Sequence, residues 1–122
     1  MTYATYIDYK SEFGDDDLQD GSEARVHLAL QRASKLADTY MRSAGIEVPT
    51  SDATVIADIR GSVLDISRYF YWSDNTSDEI RKRYEDAIKF LESVASGKIR
   101  LVVKDGQVST GDGFRNIRLI RA

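Results

Sequence analysis

Four aspartates, Asp15, Asp16, Asp17 and Asp20, crowd one short stretch, and a carboxylate cluster of that kind raises calcium as the first chemistry to consider. An EF-hand loop closes on a glutamate at its twelfth position, and counting from Asp15 or Asp16 places Val26 or His27 there instead. The run therefore reads as a solvated acidic turn ahead of a helix. His27 is the sole histidine; it sits one residue past Val26 in a helical pattern, with no Cys or Ser constellation around it, and reads as surface or boundary packing. Asp105-Gly106 and Gly111-Asp112-Gly113 belong to no phosphate loop, because neither GxGxxG nor GK[ST] is present. Asp58 and Asp65, two helical turns apart, read as solvent-facing charges. The expectation is a non-enzyme with no catalytic residue, cofactor or metal.

Basic residues offer a different chemistry. Arg115, Arg118 and Arg121 recur every third residue among Phe114, Ile117, Leu119 and Ile120, a pattern that could lay cations along one edge of an extended or helical tail. Residues 1–97 hold 11 basic and 18 acidic side chains, a net −7, whereas residues 98–122 hold 6 and 2, a net +4. Nucleic-acid binding is one reading of that tail. The acidic body and the lack of a helix-turn-helix or finger pattern weigh against it.

The elements that must carry these residues are helical. Over 122 residues, 42% hydrophobic content and 12 aromatic residues suffice for one core without disulfides, and no cysteine is present. The longest apolar runs are only a few residues and no basic-then-apolar leader follows Met1, so a soluble intracellular protein is expected. Thr5 is a plausible cap for a short helix that carries Tyr6 or Ile7, Tyr9 and Phe13 and stops at Gly14. A first long helix is expected from about Gly21 to Ala44, with Asp20 and Glu23 in capping-box spacing. Val26, Leu30, Ala33, Ala37, Tyr40 or Met41 and Ala44 trace its inner face, and Gly45 is the stop. A loop with the one proline, Pro49, leads to a second helix over about 53–73.

That second helix spaces Ile56, Ile59, Val63, Ile66 and Phe70 by threes and fours. Gly61 in its middle costs about 1 kcal/mol against Ala and would permit close approach of another helix. Its last turn, Tyr69-Phe70-Tyr71-Trp72, is aromatic all round. It is either the floor of a small core or, through Tyr69, Tyr71 and Trp72, a contact between subunits. The third long helix starts at Thr76 or Ser77, with Thr76 and Glu79 in capping-box relation, runs inward through Ile80, Tyr84, Ala87 or Ile88, Leu91 and Val94 or Ala95, and ends at Gly97. Short loops between long helices predict a mainly α fold, an antiparallel bundle of three long helices plus a short N-terminal one over residues 1–97. Lys98–Val103 and the Asp105-Gly106 turn predict an extended or β-hairpin C-terminal tail over residues 98–122, part of the same domain or a flexible extension.

Three blocks carry a resemblance. The opening Tyr3–Leu18, the middle Ala57–Arg60 with Asp65–Tyr71, and above all Arg83-Tyr-Glu-Asp-Ala-Ile-Lys-Phe-Leu-Glu-Ser-Val-Ala-Ser-Gly-Lys-Ile-Arg-Leu101 resemble the small head–tail joining proteins of Mu-like phages and prophages. The chain departs from the family pattern over Met41–Pro49. The resemblance implies a virion structural protein, a connector assembling as a ring of about twelve subunits through head-to-tail contacts. It would lie beneath the portal and join the DNA-filled head to the tail. Its implied partners are the portal protein and a tail-side connector or tail-completion protein, with DNA only as cargo in the channel and no membrane. Its implied location is the virion neck, with bacterial host cytoplasm during assembly and a monomer possible before the portal templates the ring.

Related adaptors dock a C-terminal segment on the portal, which makes residues 98–122 the expected docking element. Ile99, Leu101 and Val103 would supply a strand or apolar anchors, and Arg115, Arg118 and Arg121, with Ile117 and Leu119 between them, would meet an acidic portal surface or line the DNA path. The competing reading folds this tail back on its own acidic body. A small helical interaction module or a nucleic-acid-binding protein of phage or bacterial origin is the alternative function.

Overall fold

The computed structural model describes residues 2–14, 17, 18, 22–72 and 76–101, and among them it shows four helices and no strand. They are α1 (Tyr6–Phe13), α2 (Glu23–Ser43), α3 (Ala53–Trp72) and α4 (Asp78–Ala95), the mainly helical class expected.

Most of the helix ends have a local reason. At α1 the Thr5 hydroxyl accepts from the Asp8 N–H at 3.1 Å while the Asp8 carboxylate accepts from the Thr5 N–H at 2.9 Å, a complete capping box. Gly14, at φ 83°, stops it. At α2 the cap is Ser22, whose buried hydroxyl makes no cap hydrogen bond; the expected Asp20 cap lies outside the described residues. α2 ends as expected at Gly45, φ 84°, where the Ile46 N–H bonds to the Met41 carbonyl and the Gly45 N–H to that of Arg42. Asp52 accepts from the N–H groups of Thr54 and Val55 at 2.9 and 3.1 Å, satisfying the first free donors of α3. At α4 the cap is Ser77, accepting from the Ile80 N–H at 3.2 Å, in place of the expected Thr76–Glu79 box. Gly97, φ 85°, lies just beyond its last turn.

The inward stripes meet in one core. Val26, Leu30, Ala33, Ala37 and Met41 of α2, Ile59, Val63 and Ile66 of α3, and Leu91 and Val94 of α4 are fully buried. Alanines at 29, 33 and 37 let α2 lie against both other long helices. Ile56 and Phe70, expected on the α3 seam, are only half-buried; Val55, Leu64 and Tyr71 fill the core beside it instead. Contacts fix direction: Arg25 near the start of α2 donates to the Tyr71 carbonyl at the end of α3 (3.0 Å), and Arg83 near the start of α4 lies 3.1 Å from Asp65. α3 therefore runs antiparallel to both.

Two expectations are corrected. Gly61 faces open space, with nothing within 4 Å of where a Cβ would stand, so it brings no helix closer. Lys98–Leu101 is not a strand, and Leu101 is 2% exposed within the core, with Ile99 packed against it. The packed body thus continues past Gly97, because an apolar residue four positions beyond the stop still reaches the core. Val103, Arg115, Ile117, Arg118, Leu119 and Arg121, and the hairpin expected around Asp105-Gly106, lie outside the described residues.

Candidate assembly surface

The body is closed at one end by a polar hub. Asp17 is not a solvated charge: its carboxylate accepts from Arg68 Nε at 3.1 Å and Nη2 at 2.8 Å, from the Tyr9 hydroxyl at 2.7 Å and from the Trp72 indole N–H at 3.0 Å. Four donors from three residues on two helices tie the turn after α1 to α1 itself and to the end of α3. A charge this buried is tolerable only when paired and fully hydrogen-bonded. Burial pushes the Tyr9 hydroxyl far above its ordinary pKa, and its bond to Asp17 adds to the effect. Phe13 is sandwiched beside the hub, with the Arg68 and Arg83 guanidinium groups 4.5 and 5.3 Å from its ring centre.

Arg83 carries the tie onward to α4. It lies 3.2 Å from Glu12 and 3.1 Å from Asp65, joining α1, α3 and α4. Asp65 is accordingly half-buried, which corrects its reading as a solvent-facing charge; burial raises its pKa, and Arg83 offsets part of the rise. Asp58 is exposed as expected.

At the opposite end Tyr3 plays the same part for the chain's opening. Its N–H donates to Ser34 Oγ, its hydroxyl donates to Asp38 and accepts from the Thr50 N–H at 3.0 Å, and its carbonyl accepts from Arg60. Burial, with the bond to Asp38, pushes its hydroxyl up to about 12. Both ends are thus cross-braced by tyrosine hydroxyls that donate to carboxylates.

The residues singled out for subunit contact are placed as follows. Tyr71 is 3% exposed, its ring edge-on to Tyr9 and Trp72, so it belongs to this chain's core. Trp72 is half-buried on Asp17. Tyr69 is half-buried and stacked on Tyr84 with ring centres 4.0 Å apart. His27 is exposed, 3.5 Å from Glu23 and stacked beside Tyr6. Among the described residues no three His, Cys, Asp or Glu side chains gather as a metal site, and no helix is long and apolar enough to cross a membrane.

The surface that stands out lies on α2. Arg25, Leu28, Arg32, Lys35, Thr39 and Arg42 are all exposed and follow one another by threes and fours, forming a stripe opposite the core face. α2 carries Arg25, Arg32, Lys35 and Arg42 against only Glu23 and Asp38, a net positive helix in a net negative body. Where the stripe meets the end of α3 there is a shallow groove of about 200 Å³, lined by Arg25, Leu28, Arg32, Phe70 and Tyr71 among others. Arg25 rests 4.8 Å over the Tyr71 ring and Arg32 4.9 Å over that of Phe70. The stripe's signal in the sequence is this spacing of basic residues on the side of the helix away from its apolar face.

Residues 3–116 match the family described as "Bacteriophage Mu, Gp36". The chain is also 38% identical over 89 residues to the "Mu-like prophage FluMu protein gp36" of Haemophilus influenzae. That alignment takes in 73% of this chain and 61% of the relative, so the chain spans less than two thirds of the relative's length. The family match covers the whole described body and continues into the basic tail; this chain belongs to the Bacteriophage Mu Gp36 family of Mu-like phage proteins.

Proposed function

We propose that this chain is a head–tail connector of a Mu-like phage or prophage: a virion structural protein, not an enzyme, that assembles as a ring beneath the portal. The observation that carries the reading is the family match over residues 3–116, which spans the helical body and most of the basic tail. Supporting it is a small body braced at both ends, with opposite charge on body and tail. A brace of that kind suits a part that transmits load between larger assemblies. Its partners in this reading are the portal protein on one side and a tail-side connector or tail-completion protein on the other, with DNA passing through as cargo. Residues beyond Leu101 make the portal contact, and many tails on one portal bind through avidity even when each contact is weak.

The test is to remove the gene from an inducible prophage and examine the lysate by electron microscopy. DNA-filled heads and complete but unattached tails are expected. Normally tailed particles would reject the reading, and a defect in DNA binding or replication with no structural phenotype would favour the nucleic-acid alternative.

A further inference from the structure

We infer that the exposed stripe of α2 is a sequence-independent docking surface for the phosphate backbone of double-stranded DNA. This surface is additional to the connector role and is defined by the charges of α2 alone. Arg25, Arg32, Lys35 and Arg42 are exposed on one side of the helix and span about 26 Å along its axis. None of the four forms an ion pair with a carboxylate among the described residues. The helix's own two carboxylates are engaged elsewhere: Glu23 lies 3.5 Å from His27, and Asp38 accepts from the Tyr3 hydroxyl. α4, by contrast, exposes three cations among five carboxylates, so its charges offset one another. A strip of uncompensated positive charge therefore stands on a body whose residues 1–97 sum to −7.

Two of the guanidinium groups are held in place. Arg25 rests 4.8 Å over the Tyr71 ring and Arg32 4.9 Å over that of Phe70, a stacking that occupies the guanidinium face and leaves N–H edges for phosphate oxygens. Arg25 also donates one N–H to the Tyr71 carbonyl, a neutral acceptor that leaves its charge uncompensated. Duplex DNA carries one negative charge per about 1.7 Å of its axis, so a row of cations of this length meets phosphates in whatever register it lies. The composition of the stripe selects against a protein partner. The centre of a protein interface is apolar and depleted of charge, whereas here Leu28 is the one large apolar side chain among four cations. Phosphate contacts of this kind fix position without reading sequence.

The test is fluorescence anisotropy of a labelled duplex of about 20 base pairs, titrated with the full chain over a salt series. Binding is expected at low salt, with the same affinity when the duplex sequence is scrambled. Arg32→Gln, Lys35→Gln and Arg42→Gln, all at exposed positions, should each lower the slope of log K against log salt by about 0.9. The three together should weaken binding at least about thirtyfold at about 0.05 M salt, with thermal melts showing that the fold is intact. No anisotropy change at about 0.1 mM chain and about 0.02 M salt would overturn the proposal. It also falls if Arg115→Gln, Arg118→Gln and Arg121→Gln together abolish binding while the α2 variants leave it unchanged, which would assign DNA to the tail. Capture of labelled polyglutamate without binding of the duplex would assign the stripe to an acidic protein instead. α2 variants that keep full duplex binding, in a chain present in purified virions, sink the stripe and leave the connector reading standing; stripe-dependent binding by a chain absent from virions does the reverse.

Discussion

Arg68 grips Asp17 through two guanidinium nitrogens, at 3.1 and 2.8 Å, across 51 residues of chain, with both side chains largely out of solvent. Tyr9 and Trp72 complete the carboxylate's bonds, so the pair joins α1 to the end of α3.

Removing that charge should be costly. Asp17→Asn leaves Arg68 buried without its counter-ion, and a loss of about 3–5 kcal/mol in urea unfolding is expected. Asp58→Asn, at an exposed position, should stay within about 0.5 kcal/mol. Equal effects would mean that the hub contributes nothing special.

This hub was the part of the body least legible in the sequence. Asp17 sits in a run of like charges, and such a run ordinarily lies in solvent; its partners Arg68 and Trp72 come much later, so no local pattern links them. Asp65 escaped for the same reason, its partner Arg83 lying on another helix. What was legible was local: the Thr5 cap, the glycine stops at 14, 45 and 97, and the three-four spacing that buries Leu30, Ile59 and Leu91. Leu101 was misplaced because β-branched residues after a glycine read as the start of a new element, whereas tertiary packing draws it back into the core. Of the candidate assembly surface, the aromatic turn was visible, yet only tertiary contacts show that Tyr71 points inward and that Leu28 stays open to solvent.

Two glycines should respond to alanine with opposite sign. Gly61 is helical and faces open space, so Gly61→Ala should stabilise by about 1 kcal/mol. Gly45 has equal room but a φ of 84°, and Gly45→Ala should cost about 1–2 kcal/mol from backbone strain alone. Thermal melts of the two variants decide it, and shifts of the same sign would contradict the backbone assignment.

Alkaline stability should carry the mark of Tyr3. Its pKa is raised from 10.0 to about 12 in the folded chain, so the folded state keeps a proton that the unfolded state has lost between those values. Stability is therefore full below pH 10 and falls as pH rises toward 12, with a slope of about 1.4 kcal/mol per pH unit for one such group. Tyr9, also raised, adds its own slope. Tyr3→Phe should flatten the fall when unfolding is followed from pH 9 to 12; an unchanged slope would show that Tyr3 is not protected.

The body should end after Leu101, not at Gly97. A chain stopped at residue 103 is expected to keep the melting temperature of the full chain, while one stopped at 97 should melt lower, and Leu101→Ala should cost about 2–4 kcal/mol. A stop at 103 that markedly lowers the melting temperature would instead mean that the tail folds back on its own body.

The connector reading is tested most directly by a cryo-electron-microscopy reconstruction of the neck in purified virions. The account predicts a ring of about twelve copies of this helical body directly beneath the portal, with the segment beyond Leu101 reaching into portal density. A neck whose rings are built wholly of other chains would contradict it.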